Sequence, residues 1–327
     1  MIHHVEIENY KSIRSIQMEC KRINILIGKP NAGKSNILEA LSLLGLNHSP
    51  KNKFMEGFIR YNTLNQIFRN FDTRNNIRLI ENENKSILIT LMENASAFNV
   101  LLRRNGTLRN FSLTREGVFS LKSQESNFSD VKKYEFKSFS APFVENPLNY
   151  LLPPHGENFY QVLESHLELR EEMQKFLEPN GLELMLDVEN KRASVLQRDM
   201  AALLNIPLYL IPDTFQRYIF HLAAIMSNRN SVLLFEEPES HSYAPYIYEL
   251  AQQILNDSNG NQYFITTHNP YFLMPLLQET NDVAVFATWF EDYATQVRLL
   301  STEEIQEATE FGVDFFLNLD HFIPVSK

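Results

Sequence analysis

The hydrophobic pattern at both ends of the chain predicts strands that alternate with helices. Residues 5–13 alternate apolar and polar side chains at first, and 23–27 form a short apolar run, so both segments are predicted strands. From Ser35 the apolar positions take helical spacing, with Gly45 as the expected end. Further on, helices are predicted at 214–226 and 246–255, and strands at 232–235, 263–267, 283–286 and 296–300. This alternation is typical of a parallel sheet covered by helices on both faces.

The middle of the chain has a different pattern. Residues 46–140 are polar and rich in Asn, with strands predicted at 86–92 and 100–104 around a turn at 105–106. Residues 158–177 have helical spacing and predict a small helical lobe. The sequence therefore predicts a core made of 1–45 and 205–327, and an inserted β-rich and helical lobe at 46–204.

Composition and charge exclude several classes of protein. The chain has 327 residues, of which 44% are hydrophobic and 21% charged, as in an ordinary globular protein. It has no apolar stretch of transmembrane length and no signal-peptide pattern at its N-terminus, so we expect a cytoplasmic protein without a membrane partner. Cys20 is the only cysteine, which excludes an intrachain disulfide or a Cys-based zinc site. The formal charge of −10 opposes general binding of polyanions, although a local basic patch would still allow DNA as a partner.

Residues 28–35, Gly-Lys-Pro-Asn-Ala-Gly-Lys-Ser, fit the phosphate-binding pattern G-x-x-x-x-G-K-[ST]. They follow an apolar strand and precede an amphipathic helix, a context that argues against a chance glycine loop. Backbone N–H groups would surround the phosphates, Lys34 would add a charge for the β and γ oxygens, and Ser35 would offer its hydroxyl to Mg²⁺. The predicted nucleotide-binding residues of this loop are Gly28, Asn31, Ala32, Gly33, Lys34, Ser35 and Asn36.

A second apolar strand at 232–235 ends in two adjacent carboxylates. Ligands bind at the carboxyl ends of strands in open α/β sheets, so Glu236 and Glu237 are candidates for a nucleotide site. Glu236 would hold Mg²⁺, and Glu237 would orient or deprotonate the attacking water. A solvated acidic turn is the alternative.

A third strand, at 263–267, ends in His268, with Pro270 forcing a turn shortly afterwards. A neutral imidazole there could reach the γ-phosphate or the catalytic water. Taken alone, a histidine in this position is more often a core residue. Its place after the other two motifs favours a catalytic role.

Together these motifs resemble the ABC-type ATPases related to RecF, Rad50 and the overcoming-lysogenization-defect (OLD) proteins, often described as AAA-like ATPases. The resemblance covers the first forty-odd residues and about 211–273, and is weaker around 151–158. Residues 7–13 match the first strand and loop of that family. Residues 235–241 match its Walker B and D-loop stretch, and the switch histidine is matched by Thr267-His268-Asn269-Pro270.

The resemblance implies an α/β P-loop NTPase of the ABC-ATPase type, with a mixed sheet and helices on both faces. It also implies ATP and Mg²⁺ as cofactors and a homodimer that closes on ATP. Lys11 matches a basic residue that approaches the nucleotide in relatives. Gln66 is a candidate for the family's Q-loop by position alone.

The sequence departs from the family at its signature loop, a Ser-Gly helix start that completes the active site of the partner subunit. The counterpart here lies at 211–217, which contains no glycine. Its signature-like residues are Asp213, Thr214 and Arg217, and a plain helix N-cap explains the segment equally well. A carboxylate at Asp213 would repel the γ-phosphate unless Arg217 offsets it. Because Glu236 also replaces the usual Asp, we expect slow hydrolysis, with ATP acting mainly as a clamp.

Three functions from different classes fit these motifs. The leading one is a regulatory ATPase that couples dimer closure to a nucleic acid or to an effector protein, a nuclease or toxin, in phage defence or DNA maintenance. The alternative is the nucleotide-binding subunit of a membrane transporter, which the missing glycine signature argues against. A small P-loop kinase would leave Glu237 and His268 unexplained.

Overall fold

A computed structural model describes residues 1–49, 53–92, 97–119, 130–139, 148–199, 201–310 and 314–324. The chain forms two compact units, which are Met1–Lys133, Ser231–Glu237 and Gln262–Lys327 for the first, and Tyr134–Asn230 and Pro238–Asn261 for the second. The domain boundaries inferred from the sequence stay a prediction, and parts of the lobe predicted at 46–204 lie outside the described residues.

The described residues contain the following strands and helices. The strands are β1 His4–Tyr10, β2 Ile13–Glu19, β3 Ile23–Gly28, β4 Ile77–Glu81, β5 Lys85–Leu91, β6 Ala97–Arg104, β7 Thr107–Thr114, β8 Val131–Tyr134, β9 Leu182–Asp187, β10 Arg192–Asp199, β11 Ala202–Pro207, β12 Val232–Glu236, β13 Gln262–Thr266, β14 Val283–Glu291 and β15 Ala294–Leu299. The α-helices are α1 Lys34–Ser42, α2 Phe159–Ser165, α3 Leu167–Leu177, α4 Asp213–Ser227, α5 Ala244–Leu255, α6 Pro270–Glu279 and α7 Thr302–Glu310. Short 3-10 helices lie at Leu43–His48, Leu64–Ile67, Arg69–Phe71, Glu178–Asn180, Leu208–Leu210 and Leu319–Phe322.

One mixed sheet organises the first unit. Its described strands run in the order β7-β6-β5-β4-β1-β2-β15-β14-β3-β13-β12-β8. Within it β3 pairs in parallel with both β13 and β14, and β12 pairs in parallel with β13. The nearly continuous apolar runs of β3, β12 and β13 suit strands buried on both faces. Because these three strands share one direction, their carboxyl ends lie at the same edge of the sheet.

Helix α1 leads away from this edge and packs against β1, β3, β12 and β13. Its apolar face, which includes Ile37, Leu38 and Leu41, is fully buried. The α-helix ends at Ser42, before the predicted stop at Gly45, and the chain continues as a 3-10 segment whose helical φ/ψ angles are interrupted at Gly45. Gly45 serves a close approach, since a Cβ there would lie 2.1 Å from the carbonyl oxygen of Val131.

The predicted β-rich region extends the same sheet. Strand β4 pairs antiparallel with β1, and β5, β6 and β7 follow as an antiparallel meander. The strands predicted at 86–92 and 100–104 correspond to β5 and β6. The turn at Asn105 and Gly106 joins β6 to β7, with Gly106 at a φ of +82°.

The second unit is built from helices and a separate three-stranded sheet of order β11-β10-β9. The predicted helical stretch at 158–177 is confirmed, but it is divided at His166 into α2 and α3. Helix α3 packs against α4 and against β9, and α4 packs against α5. The strands of this small sheet are absent from the sequence prediction. The predicted α/β class with a mixed sheet is confirmed.

Candidate functional site

The phosphate loop connects β3 to α1 and depends on two glycines. A Cβ on Gly28 would lie 2.2 Å from the carbonyl oxygen of Thr288, so this position admits no side chain. Gly33 takes the left-handed conformation, with φ +99°, directly before the first residue of α1. Asn31 is also left-handed, with φ +63°. The loop therefore turns sharply and presents the first N–H groups of α1, which have no partner within the helix, toward the sheet edge.

We expect Gly33→Ala to destabilise the protein more than Gly106→Ala. Both glycines have a positive φ, so alanine costs about 1–2 kcal/mol of backbone strain at either one. Only at Gly33 is the new Cβ crowded, because Thr295 Oγ1 would lie 2.0 Å away, whereas no described atom lies within 4 Å at Gly106. Crowding adds a further ~1–3 kcal/mol. Thermal unfolding of the two variants measures the difference in stability. Equal losses would contradict the close contact between the phosphate loop and Thr295 at Gly33.

Lys34 is folded back onto its own loop. Its Nζ donates to the carbonyl oxygens of Gly28, at 2.8 Å, and Lys29, at 3.1 Å. Burial lowers the pKa of the Lys34 ammonium, and the carboxylates of Glu237 and Glu236 act in the opposite direction. The ammonium thus lies within range of the charges of both predicted acidic residues, where it can exchange loop carbonyls for phosphate oxygens.

The side chains on the first turn of α1 divide between two environments. Ser35 is partly exposed, which suits a hydroxyl offered to a metal. Asn36 instead donates to Ser12 Oγ at 2.7 Å, and this oxygen lies 2.6 Å from Thr295 Oγ1. This chain of polar contacts ties α1 to the loop after β1 and to the start of β15. The predicted contact of Asn36 with nucleotide stays a prediction, and its side chain has a structural role here.

The acidic pair lies at the end of β12, as the sequence predicts. Glu236 is the last residue of the strand, and Glu237 takes a left-handed conformation with φ +44°. The N–H of Glu237 donates to the main-chain oxygen and to Oγ1 of Thr266, each at 3.1 Å. The backbone therefore turns between the two residues and is held to β13 at the turn.

His268 follows β13 and faces Glu237. Its Nε2 lies 3.5 Å from Glu237 Oε1. Burial lowers the pKa of the His268 imidazole, the Lys34 ammonium lowers it further, and the Glu237 carboxylate acts against both. With a pKa below its ordinary 6.5, the ring is neutral near pH 7 and can accept or donate one hydrogen bond. Lys34, Glu237 and His268 thus lie together at the carboxyl ends of β3, β12 and β13.

Lys133, near the carboxyl end of β8, is a charged residue at this edge that the sequence does not predict. Its Nζ lies 3.6 Å from Glu236 Oε2. The pattern Val-Lys-Lys-Tyr gives no sign of a buried strand, although β8 is buried along its whole length. An acidic partner about a hundred residues away is invisible to local periodicity.

Lys11 makes contacts that the sequence does not predict. Its Nζ donates to Glu39 Oε2 and, at 2.9 Å, to the carbonyl oxygen of Arg60. Glu39 lies on α1 with a fully buried side chain, and Arg60 Nε donates to its other oxygen at 2.5 Å. Lys11 is therefore part of an ion-paired cluster around Glu39. Its approach to a nucleotide stays a prediction and would require these contacts to rearrange.

Gln66 also has a local role. Its side-chain oxygen accepts from the N–H groups of Asn62, at 2.7 Å, and Thr63, at 3.3 Å. Thr63 and Gln66 form a capping box at the 3-10 helix Leu64–Ile67. This cap accounts for the glutamine without a contact to nucleotide.

The signature-like residues lie in the second unit, at the start of α4. The helix begins at Asp213, and its N-cap, Pro212, makes no side-chain capping bond. Arg217 Nε donates to Asp213 Oδ2 at 2.7 Å, and the guanidinium lies 4.6 Å above the ring of Phe136. Thr214 Oγ1 accepts from the N–H of Tyr243 at 3.4 Å. The carboxylate of Asp213 is thus paired within its own helix turn.

The donor set at the sheet edge fits Mg²⁺ better than a transition metal. Within the described residues, no group of three or more His, Cys, Asp or Glu side chains could hold a metal. Mg²⁺ needs few protein ligands, since it keeps several waters and binds through one or two oxygens plus substrate phosphates. The hydroxyl of Ser35 and the carboxylate of Glu236 are hard oxygen donors of this kind.

Comparisons with known proteins agree with the fold. A family model described as "AAA domain, putative AbiEii toxin, Type IV TA system" matches residues 23–274. A relative named ATP/GTP phosphatase, from Helicobacter pylori (strain ATCC 700392 / 26695), is 22% identical, with 93% of each chain covered.

Two solved structures of Smc head domains are also similar. One, bound to the C-winged helix domain of ScpA, has a TM-score of 0.56 and 13% identity, covering 94% of this chain and 99% of that chain. The other, with an extended coiled coil and bound to the C-terminal domain of ScpA derived from Pyrococcus furiosus, has a TM-score of 0.55 and 11% identity, covering 96% and 99%. At these identities the likeness shows the fold alone, and the predicted ABC-type P-loop fold is confirmed. None of the helices in the described part of the chain has the length and apolar character needed to cross a bilayer.

Proposed function

This chain belongs to the family described as "AAA domain, putative AbiEii toxin, Type IV TA system", and from that premise we propose that it is a Mg²⁺-dependent ABC-type enzyme. The proposed reaction is the hydrolysis of ATP to ADP and phosphate. The observation that carries this proposal is the meeting of Lys34, Glu237 and His268 at the ends of three neighbouring parallel strands. A buried cation for phosphates, a carboxylate for water and a neutral imidazole beside it are the groups that the reaction needs.

Each residue has a separate task in this reaction. The Lys34 ammonium leaves the carbonyl oxygens of its loop and donates to β and γ phosphate oxygens. Glu237 orients the attacking water and accepts its proton, while His268 hydrogen-bonds the γ-phosphate or that water. Ser35 and Glu236 would hold Mg²⁺, which neutralises charge on the phosphates when it is bound.

We further propose that hydrolysis is slow and that ATP acts mainly as a clamp between two copies of the chain. In the related ATPases the signature loop of one subunit offers backbone donors to the γ-phosphate of the other. Here Asp213 stands at that helix start, and its ion pair with Arg217 offsets the charge without supplying Ser-Gly donors. Loss of one such donor typically costs 2.7–4 kcal/mol, or roughly 10²–10³ in rate.

Replacing Asp213 by Ser together with Thr214 by Gly should raise turnover, by up to roughly 10². The change removes a carboxylate and restores backbone donors at the start of α4. Steady-state phosphate release measures the effect, and Arg217→Ala is the counterpart, since it leaves Asp213 without its cation and should slow release further. Release by the isolated wild-type protein at the ~10 s⁻¹ typical of enzymes would contradict the clamp.

We propose that this chain is related more specifically to the RecF, Rad50 and OLD group, because residues 7–13 and 235–241 match motifs of that group.

The proposed biological role of the chain is to regulate an effector protein, a nuclease or toxin, or a DNA transaction, in phage defence or DNA maintenance. The Smc heads in the two similar structures are bound to domains of ScpA, which supports partner binding by this fold. Phosphate release with and without a co-purified native partner tests the proposal, and an identical rate in both would oppose it. GTP belongs in the same assay because the named relative is an ATP/GTP phosphatase.

A further inference from the structure

A buried lysine faces the acidic end of β12 from the neighbouring strand. Lys133 is 3% exposed, and its Nζ lies 3.6 Å from Glu236 Oε2. The same ammonium donates to the carbonyl oxygen of Phe58 at 3.2 Å. A buried charge is costly unless it is paired and hydrogen-bonded, so these contacts define where the ammonium sits.

The position of Lys133 brings a second cation close to the predicted metal ligand. The charge of Glu236 acts on the Lys34 ammonium in the phosphate loop, and Lys133 of β8 lies within ion-pair distance of Glu236. Lys133 also lies near enough to Lys11 to contribute to its lowered pKa, after the larger effects of burial and of Arg60. The charge of Lys133 therefore acts both on Glu236 and on Lys11, in the loop after β1.

We propose that Lys133 is a positioning residue for Glu236 and a built-in countercharge that lets the site hold nucleotide phosphates with reduced dependence on Mg²⁺. This inference rests on the proposed function. Glu236 and Glu237 both repel phosphates, and a fixed ammonium beside them offsets part of that repulsion. The same ammonium competes with Mg²⁺ for Glu236. Removal of the Lys133 charge therefore weakens nucleotide binding in the absence of Mg²⁺. It also increases the gain in nucleotide affinity that Mg²⁺ provides.

The same strand offers a matched control. Lys132 is 2% exposed, and its Nζ contacts Ser231 Oγ and Asp130 Oδ1, each at 2.9 Å. Lys132 and Lys133 are similarly buried. Their surroundings differ because successive side chains of a strand point to opposite faces of the sheet. Of these two lysines, Lys133 is the one whose Nζ lies near Glu236, at 3.6 Å.

The test measures the dissociation constant of a non-hydrolysable ATP analogue by calorimetry, once in excess Mg²⁺ and once in EDTA. In Lys133→Met the ratio of the EDTA value to the Mg²⁺ value should rise at least ~10-fold over wild type, equivalent to about 1.4 kcal/mol. Lys132→Met should leave the ratio within about twofold of wild type, and Lys133→Arg should stay close to wild type because it keeps the charge. If Lys133→Met does not fold, Lys133→Gln takes its place, since it keeps a donor for Phe58 without the charge.

An unchanged ratio in the uncharged Lys133 variant would overturn the inference, as would an equal rise in Lys132→Met, which would indicate a general effect of removing buried charge. In either case wild-type binding of the analogue in Mg²⁺ would leave the proposed function standing. Failure of the wild-type protein to bind the analogue in both buffers would overturn the proposed function itself.

Discussion

Lys34→Ala should weaken ATP binding by at least ~100-fold, about 3 kcal/mol or more. The substitution removes a buried ammonium that lies at the phosphate loop beside Glu237, and water cannot replace its charge there. Calorimetry with a non-hydrolysable ATP analogue and Mg²⁺ measures the loss.

A second lysine of the same loop provides the control. Lys29 forms an exposed ion pair with Asp320 at 2.7 Å, and such pairs contribute roughly 0–1 kcal/mol. Lys29→Ala should therefore bind nearly as wild type, and thermal unfolding of both variants shows whether the loop stays folded. Wild-type affinity in a folded Lys34→Ala variant would contradict the assignment of the phosphate loop.

Glu237→Gln should keep ATP bound while hydrolysis falls by roughly 10² or more. The amide can still orient a water but cannot accept its proton, and the size of the side chain is unchanged. Single-turnover phosphate release measures the chemical step, and light scattering should detect an accumulated closed dimer in ATP.

Unaltered ATP affinity of Glu237→Gln separates a chemical role from a structural one. Loss of affinity together with loss of turnover would indicate that Glu237 mainly maintains the site, for example through its contact with His268. Wild-type turnover would show that Glu237 is not the base.

The strands that carry the site are predictable because each contains a continuous run of apolar residues. The apolar runs at 232–235 and 263–267 predict β12 and β13 to within one residue, since a strand buried on both faces needs a continuous apolar sequence. The glycine pattern likewise predicts the phosphate loop between β3 and α1, where Gly33 takes the left-handed conformation. In each case the local sequence determines the local structure.

The remainder depends on residues far apart in the chain. Two adjacent lysines in β8 would suggest an exposed turn, and their burial depends on Ser231 and Glu236. Similarly, Lys11 is drawn to Glu39, a fully buried charged residue of α1 whose burial no periodicity predicts. Long-range ion pairs of this kind decide which cations are available to a ligand. They are the part of the site that a single sequence leaves open.

The hydrogen bonds from the Glu237 N–H to Thr266 have a mechanical consequence. They fasten the residue after β12 to the strand that ends two positions before His268, so the carboxylate and the imidazole share one rigid frame. Any stretching or tilting of the sheet edge would carry both residues together and leave their spacing unchanged. A signal that alters turnover would therefore act by moving a third group toward or away from Glu237 and His268, and not by changing the distance between these two residues.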